Sequence, residues 1–141
     1  MQRRMNNMPD LQIGVISCSG EEILGGTIAR MATRKVMENL RVGKVVSLCL
    51  PLYIAGGEEE RNFAKEFPVI AVDGCDKACA KRATLKYSGE VKDIIVISDL
   101  LGENVVLSKT VSARDLTEEH YKMADIVAEE ICKKVDAIIG E

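Results

Sequence analysis

The stretch Val69-Ile70-Ala71-Val72-Asp73-Gly74-Cys75-Asp76-Lys77-Ala78-Cys79 decides how the rest of the chain is read. Four consecutive apolar residues suit a strand buried on both faces. Asp73 and Gly74 break the run, and residues Asp76 to Tyr87 have helical composition. The stretch therefore predicts a strand that stops at Asp73, turns on Gly74 and presents Cys75 where a helix begins. Cys79 lies four residues further on, which puts both sulfurs on one helical face near the N-terminus. Unpaired backbone N–H groups and the positive end of the helix dipole lie there. Such a setting lowers a thiol pKa and favours the thiolate, the form that binds metals and does redox chemistry.

The same pattern recurs on either side. Leu11 to Ser17 reads as a first strand, followed by the turn Cys18-Ser19-Gly20, where Ser19 or Gly20 could cap a helix. Glu21 and Glu22 suit that helix's first turn. Leu24, Ile28, Met31, Ala32, Val36 and Leu40 recur at spacings of three and four and form its apolar face. Gly43 is a helix stop. Lys44 to Leu50 reads as a second strand ending at Cys49 and stopped by Pro51. Leu52 to Gly57 reads as a loop and Glu58 to Phe67 as a short helix closed by Pro68. Beyond the central stretch, Val91 to Ser98 reads as a fourth strand and Val105-Val106-Leu107 as a short edge strand. Thr117 is placed to cap a last helix, whose buried stripe is Ala124, Val127, Ala128, Ile131, Val135 and Ile138.

Strands alternating with helices predict a three-layer α/β sandwich with a mainly parallel sheet, Rossmann-like or flavodoxin-like. Residues 1–10 read as a flexible leader and 11–141 as one domain. In a parallel sheet all strand C-termini line one edge, and ligands bind there, where the strand order reverses. Cys18, Cys49 and Cys75 each fall at a predicted strand end, so the topology is expected to gather them with Cys79.

Composition narrows what such a site could serve. The 141 residues are 47% hydrophobic and 29% charged, ordinary for a globular domain with a real core. A net charge of −3 and only 4% aromatic residues argue against nucleic-acid binding. No apolar run approaches the roughly 20 residues that span a bilayer, so no membrane partner is expected. No secretion signal is legible, and the cytoplasm is the expected location. Five cysteines there point to metal or thiol chemistry before disulfides.

Four thiolates suit tetrahedral zinc. The two close cysteine pairs of a zinc finger are missing, however, and only Cys75-x3-Cys79 is local. The plain alternative is small buried residues at strand ends. Formal charge on four thiolates and one dication is −2. Helix N-termini after Cys18 and Cys75 would offset it, as would Lys77, Lys81 and Arg82 if turned inward; at least two of these three read as a solvated basic face. Cys132 lies beside the stripe of the last helix and reads as packing. His120 reads as a surface or capping residue, so no Cys-His or Ser-His pair is placed. Cys18-Ser19-Gly20-Glu21-Glu22 lacks a P-loop's closing Gly-Lys-Ser/Thr, and its glutamates would repel phosphate. Asp73 and Asp76 flank Cys75 as a carboxylate pair would, but turn formation and helix capping account for them.

Asp73-Gly74-Cys75-x3-Cys79, preceded by a strand and by Cys18-Ser19-Gly20 near the N-terminus, resembles the DGC-domain family, named for that tripeptide. The resemblance covers nearly all of the chain from about Leu11. It implies zinc binding through four cysteines, which match Cys18, Cys75, Cys79 and, by strand-end position, Cys49. Cys132 lies outside the matched motif. The resemblance leaves the purpose of the metal open. A zinc-binding protein, structural or metal-handling, is therefore the leading expectation. A thiol oxidoreductase or sulfur-transfer protein using Cys75 and Cys79 is the alternative, and an iron–sulfur cluster a third. A homo-oligomer or an unidentified protein partner is compatible with all three.

Overall fold

The computed structural model describes residues 12–20 and 22–141. The expected leader, the start of the first strand at Leu11 and the role of Glu21 lie outside the described residues. Four strands, β1 (Ile13–Ser17), β2 (Val45–Ser47), β3 (Val69–Asp73) and β4 (Asp93–Val96), form one all-parallel sheet in the order β2-β1-β3-β4. The helices are α1 (Leu24–Lys35), α2 (Leu50–Ala55), α3 (Glu58–Glu66), α4 (Cys79–Tyr87), α5 (Ile97–Leu101) and α6 (Glu118–Ile139). The expected α/β sandwich is present. From β1 the chain steps one way to β2, and from β3 it steps the other way to β4. Crossovers of one hand then place their helices on opposite faces.

The side chains sort accordingly. Ile13, Val15, Ile70 and Val72 pack with α1 and α6 in one core. Ile16, Val69 and Ala71 pack with Tyr53, Phe63 and Ala80 of α2, α3 and α4 in a second core. Residues 69–72 are fully buried because they feed both cores, as the unbroken apolar run predicts. All six predicted stripe residues of α6 are buried, and so is Cys132. Thr117 caps α6 through a reciprocal box: its hydroxyl accepts the His120 N–H, and His120 Nδ1 accepts the Thr117 N–H at 3.0 Å.

Several boundaries differ from the sequence reading. The first helix ends in a π-helical turn, Val36–Leu40, in which the Arg41 N–H bonds the Val36 carbonyl at 2.8 Å. The wider turn rotates Leu40 off the apolar face and leaves it exposed. Neither Ser19 nor Gly20 caps α1; Ile23 precedes it without a side-chain bond. β2 stops at Ser47, and Pro51 lies in the first turn of a helix, α2, that runs where a loop was expected, because its missing N–H costs nothing in a first turn. β4 stops at Val96, the residue opposite Asp73, since β3 offers no partner beyond that point. The chain winds into α5 instead.

No strand forms over residues 105–107. The Leu107 and Lys109 carbonyls accept the Gly25 and Leu24 N–H groups, at 2.9 and 3.0 Å. That segment thus closes the N-terminus of α1, and only Ile23 and Thr110 make an isolated antiparallel bridge.

One close approach locks β3 to α1. A Cβ on Gly74 would stand 2.9 Å from the Gly25 carbonyl carbon. A side chain cannot enter without moving backbone. Gly74→Ala is expected to cost about 1–3 kcal/mol, read from the urea midpoint, whereas Gly140→Ala, whose Cβ would meet nothing closer than 3.4 Å, should leave the midpoint nearly unchanged.

Candidate functional site

The strand order reverses between β1 and β3, so the crevice beyond their C-terminal ends is the favoured binding position of such a sheet. A cavity of about 360 Å³ lies there. Cys18 from the end of β1 and Cys75 and Cys79 from beyond β3 line it, together with Asp73, Gly74, Ile23, Leu50 and Leu107. Its walls are mostly apolar, with sulfur the main reactive element.

Each cysteine is positioned differently. Cys18 is half-buried, and its Sγ accepts the Gly74 N–H at 3.3 Å. Burial pushes its thiol pKa up, and the Asp73 charge adds to the shift, while the Gly74 N–H pulls against it. The loop holding it is tied to α1 by Arg30, whose guanidinium donates to the Gly20 carbonyl at 2.7 Å and to Thr27 Oγ1 at 3.1 Å. Cys49 is exposed and precedes α2; its N–H donates to the Glu60 carboxylate of α3 at 2.6 Å. Cys49 does not line the cavity, although the next residue, Leu50, does.

Cys75 and Cys79 are both exposed, and they do not share a helical face as the i, i+4 spacing predicts. Helix α4 begins only at Cys79, after Ala78 in a left-handed conformation with φ 53°. The reason is Asp73. Its buried carboxylate accepts the Ala80 N–H at 2.6 Å and the Lys81 N–H at 3.1 Å, which pins the helix start one turn later than expected. Cys75 is left in the turn ahead of it. The helix-capping role expected for Asp73 is therefore present, delivered from the strand end. Desolvation raises the Asp73 pKa, and the two N–H bonds and the Lys81 charge hold that rise down.

The helix N-termini expected to offset thiolate charge are largely engaged elsewhere. Carbonyls of residues 107 and 109 take two N–H groups of α1, and Asp73 takes two of α4. Lys77 and Arg82 are exposed, as a solvated basic face predicts, while Lys81 is half-buried near Asp73. Among the described residues, no three His, Cys, Asp or Glu side chains stand together in a group that could hold a metal ion. The fold thus brings three of the four predicted cysteines to one cavity and Cys49 beside it, without converging them on a point.

Sequence reasoning missed Arg30, Glu60 and the Gly25–Gly74 contact. A signal for the last was present: two adjacent glycines, Gly25-Gly26, inside a helix each cost about 1 kcal/mol relative to alanine, so a close approach was to be expected there. A Cβ on Gly26 would stand 2.7 Å from the Gly20 backbone nitrogen.

The fold and cavity define an α/β domain with a cysteine-lined crevice at the switch point of a parallel sheet. The DGC-domain family model matches residues 14–138, nearly the whole chain, and the protein belongs to that family. No curated protein and no solved structure matches the chain.

Removing the Asp73 acceptors strands two N–H groups at the start of α4. Asp73→Ala is expected to lower stability by about 1–3 kcal/mol. In amide exchange, Ala80 and Lys81 should lose protection first, with the α6 amides changing only as far as global stability does.

Proposed function

We propose that this protein binds one zinc ion through Cys18, Cys49, Cys75 and Cys79, in a structural or metal-handling role. The observation that carries the reading is the meeting of Cys18, Cys75 and Cys79 in one cavity at the sheet's switch point. The donor set fits the ion, since four soft thiolates are a common zinc environment. The Gly74 N–H already directed at Cys18 Sγ is the type of contact that supports a ligating sulfur. Cys49, Cys75 and Cys79 are exposed on turns or at a helix start, where closing inward disturbs little packing. Zinc held by four thiolates has no open coordination position, which disfavours hydrolysis at the metal. Cys132 belongs to the α1–α6 core and has no part in the site.

Metal analysis of protein purified without chelator tests the ligand set. Cys75→Ser should sharply reduce zinc stoichiometry and Cys132→Ser should leave it unchanged; equal loss in both would overturn the assignment. Metal-free protein carrying a Cys75–Cys79 disulfide that cycles with reductant would favour thiol redox or sulfur-transfer chemistry instead. A coloured protein containing iron would replace zinc by a cluster.

The metal's contribution to folding is expected to be modest. Both cores are built from buried apolar side chains, and of the four proposed ligands only Cys18 packs against one of them. Stripping zinc under reducing conditions should lower the melting temperature by no more than about 10 °C, with exchange rising mainly in the loops around residues 18, 49 and 74. Affinity should weaken as pH falls, because ligand thiols must lose protons to bind. A globally unfolded apo protein would make the site structural.

A further inference from the structure

Beside the cavity runs an open groove of about 650 Å³ between α2 and α4, lined by Leu50, Ile54, Ala83 and Leu85, with Arg82 and Lys86 along it and Cys79 at one end. We propose that it docks an acidic amphipathic helix of a partner protein, which would lie over the mouth of the cysteine cavity.

Two independent properties point to that occupant. The first is apolar exposure. Ile54 is 65% exposed and Leu85 46%, on neighbouring helices, so their side chains form one unpartnered apolar strip. A trough between two helices with aliphatic walls accepts a third helix through residues spaced three and four apart. The second is charge. From Lys77 to Ser88 the chain carries four cations and no carboxylate, although the whole protein has a net charge of −3. No described residue forms an ion pair with Arg82 or Lys86. Arg82 reaches only the Lys77 carbonyl, at 3.4 Å, and the Lys86 ammonium lies 5.5 Å from the Tyr87 ring centroid. Glu60, on the neighbouring α3, is committed to the Cys49 N–H. An apolar strip edged by unpaired cations is complementary to a helix with aliphatic residues on one face and carboxylates flanking it. Cys79 lines both the groove and the cavity, so the docked helix borders the thiols.

The test uses the full chain and two fluorescent synthetic helical peptides with the same leucine stripe, one with glutamate and one with lysine at the flanking positions. Anisotropy should show binding of the acidic peptide, weakened by added salt, and none of the basic one. The double variant Arg82→Glu, Lys86→Glu should weaken that binding by about tenfold or more and favour the basic peptide. Leu85→Asp should abolish it. All three residues are exposed, and an unchanged melting temperature in these variants verifies the fold. Equal binding of both peptides, no binding of the acidic one, or indifference to charge reversal would overturn the proposal. So would sedimentation showing a homodimer that the double variant dissociates, which would make the occupant a second copy. Apart from Cys79, the groove residues are not proposed metal ligands. Peptide binding and zinc stoichiometry therefore fail or succeed separately.

Discussion

The arrangement of this site depends on how closely two backbones approach. Gly74 meets Gly25 with no room for a side chain, so the turn after β3 rests directly on the first turn of α1. That contact fixes the Gly74 N–H against Cys18 Sγ. Asp73, one residue earlier, is drawn into the interior, where its carboxylate finds the amides of α4. Strand end, first helix and fourth helix are thereby set relative to one another by two consecutive residues. In the Asp-Gly-Cys tripeptide, the aspartate holds a helix, the glycine admits a neighbour and the cysteine is left at the cavity.

Electrostatically the site differs from an anion-binding helix terminus. Leu24 and Gly25 give their amides to main-chain carbonyls, and Ala80 and Lys81 give theirs to a carboxylate. The positive potential that commonly gathers at such ends is spent inside the protein. What faces the crevice is a mostly apolar wall with thiols set into it. Such a surface suits ligands with an affinity for sulfur better than phosphates.

Much of the architecture is legible in the sequence because its signals are local. The apolar run at 69–72 belongs to a strand touching both cores, and the periodicity from Ala124 to Ile138 is the buried stripe of α6. Cys18 and Cys75 at the cavity follow from strand ends in a parallel sheet, whereas Cys49, placed by the same logic, lies outside its lining. What sequence could not supply was the use of backbone hydrogen bonds across long separations. Residues 105–107 have strand composition, but their segment lies against α1, far back in the chain, and spends its carbonyls there. The start of α4 departs from the sequence expectation for a similar reason. Helical composition begins at Asp76, yet a carboxylate from β3 selects Ala80 and Lys81 as the first capped amides, with Ala78 left in a conformation alanine rarely adopts.

The closure of α1 by the segment around Leu107 also sets an order in time. The four cysteines of the proposed site all lie before residue 80, and three of the four strands are complete by Asp73. Yet the first turn of α1 finds its acceptors only when residues 107 and 109 are present, and its long face is covered by α6, which begins at Glu118. During synthesis the thiols therefore emerge well before the wall behind them. A nascent chain holds its thiols on an unfinished scaffold until its final third is being made, because the crevice cannot be complete before Leu107, one of its lining residues, has been added.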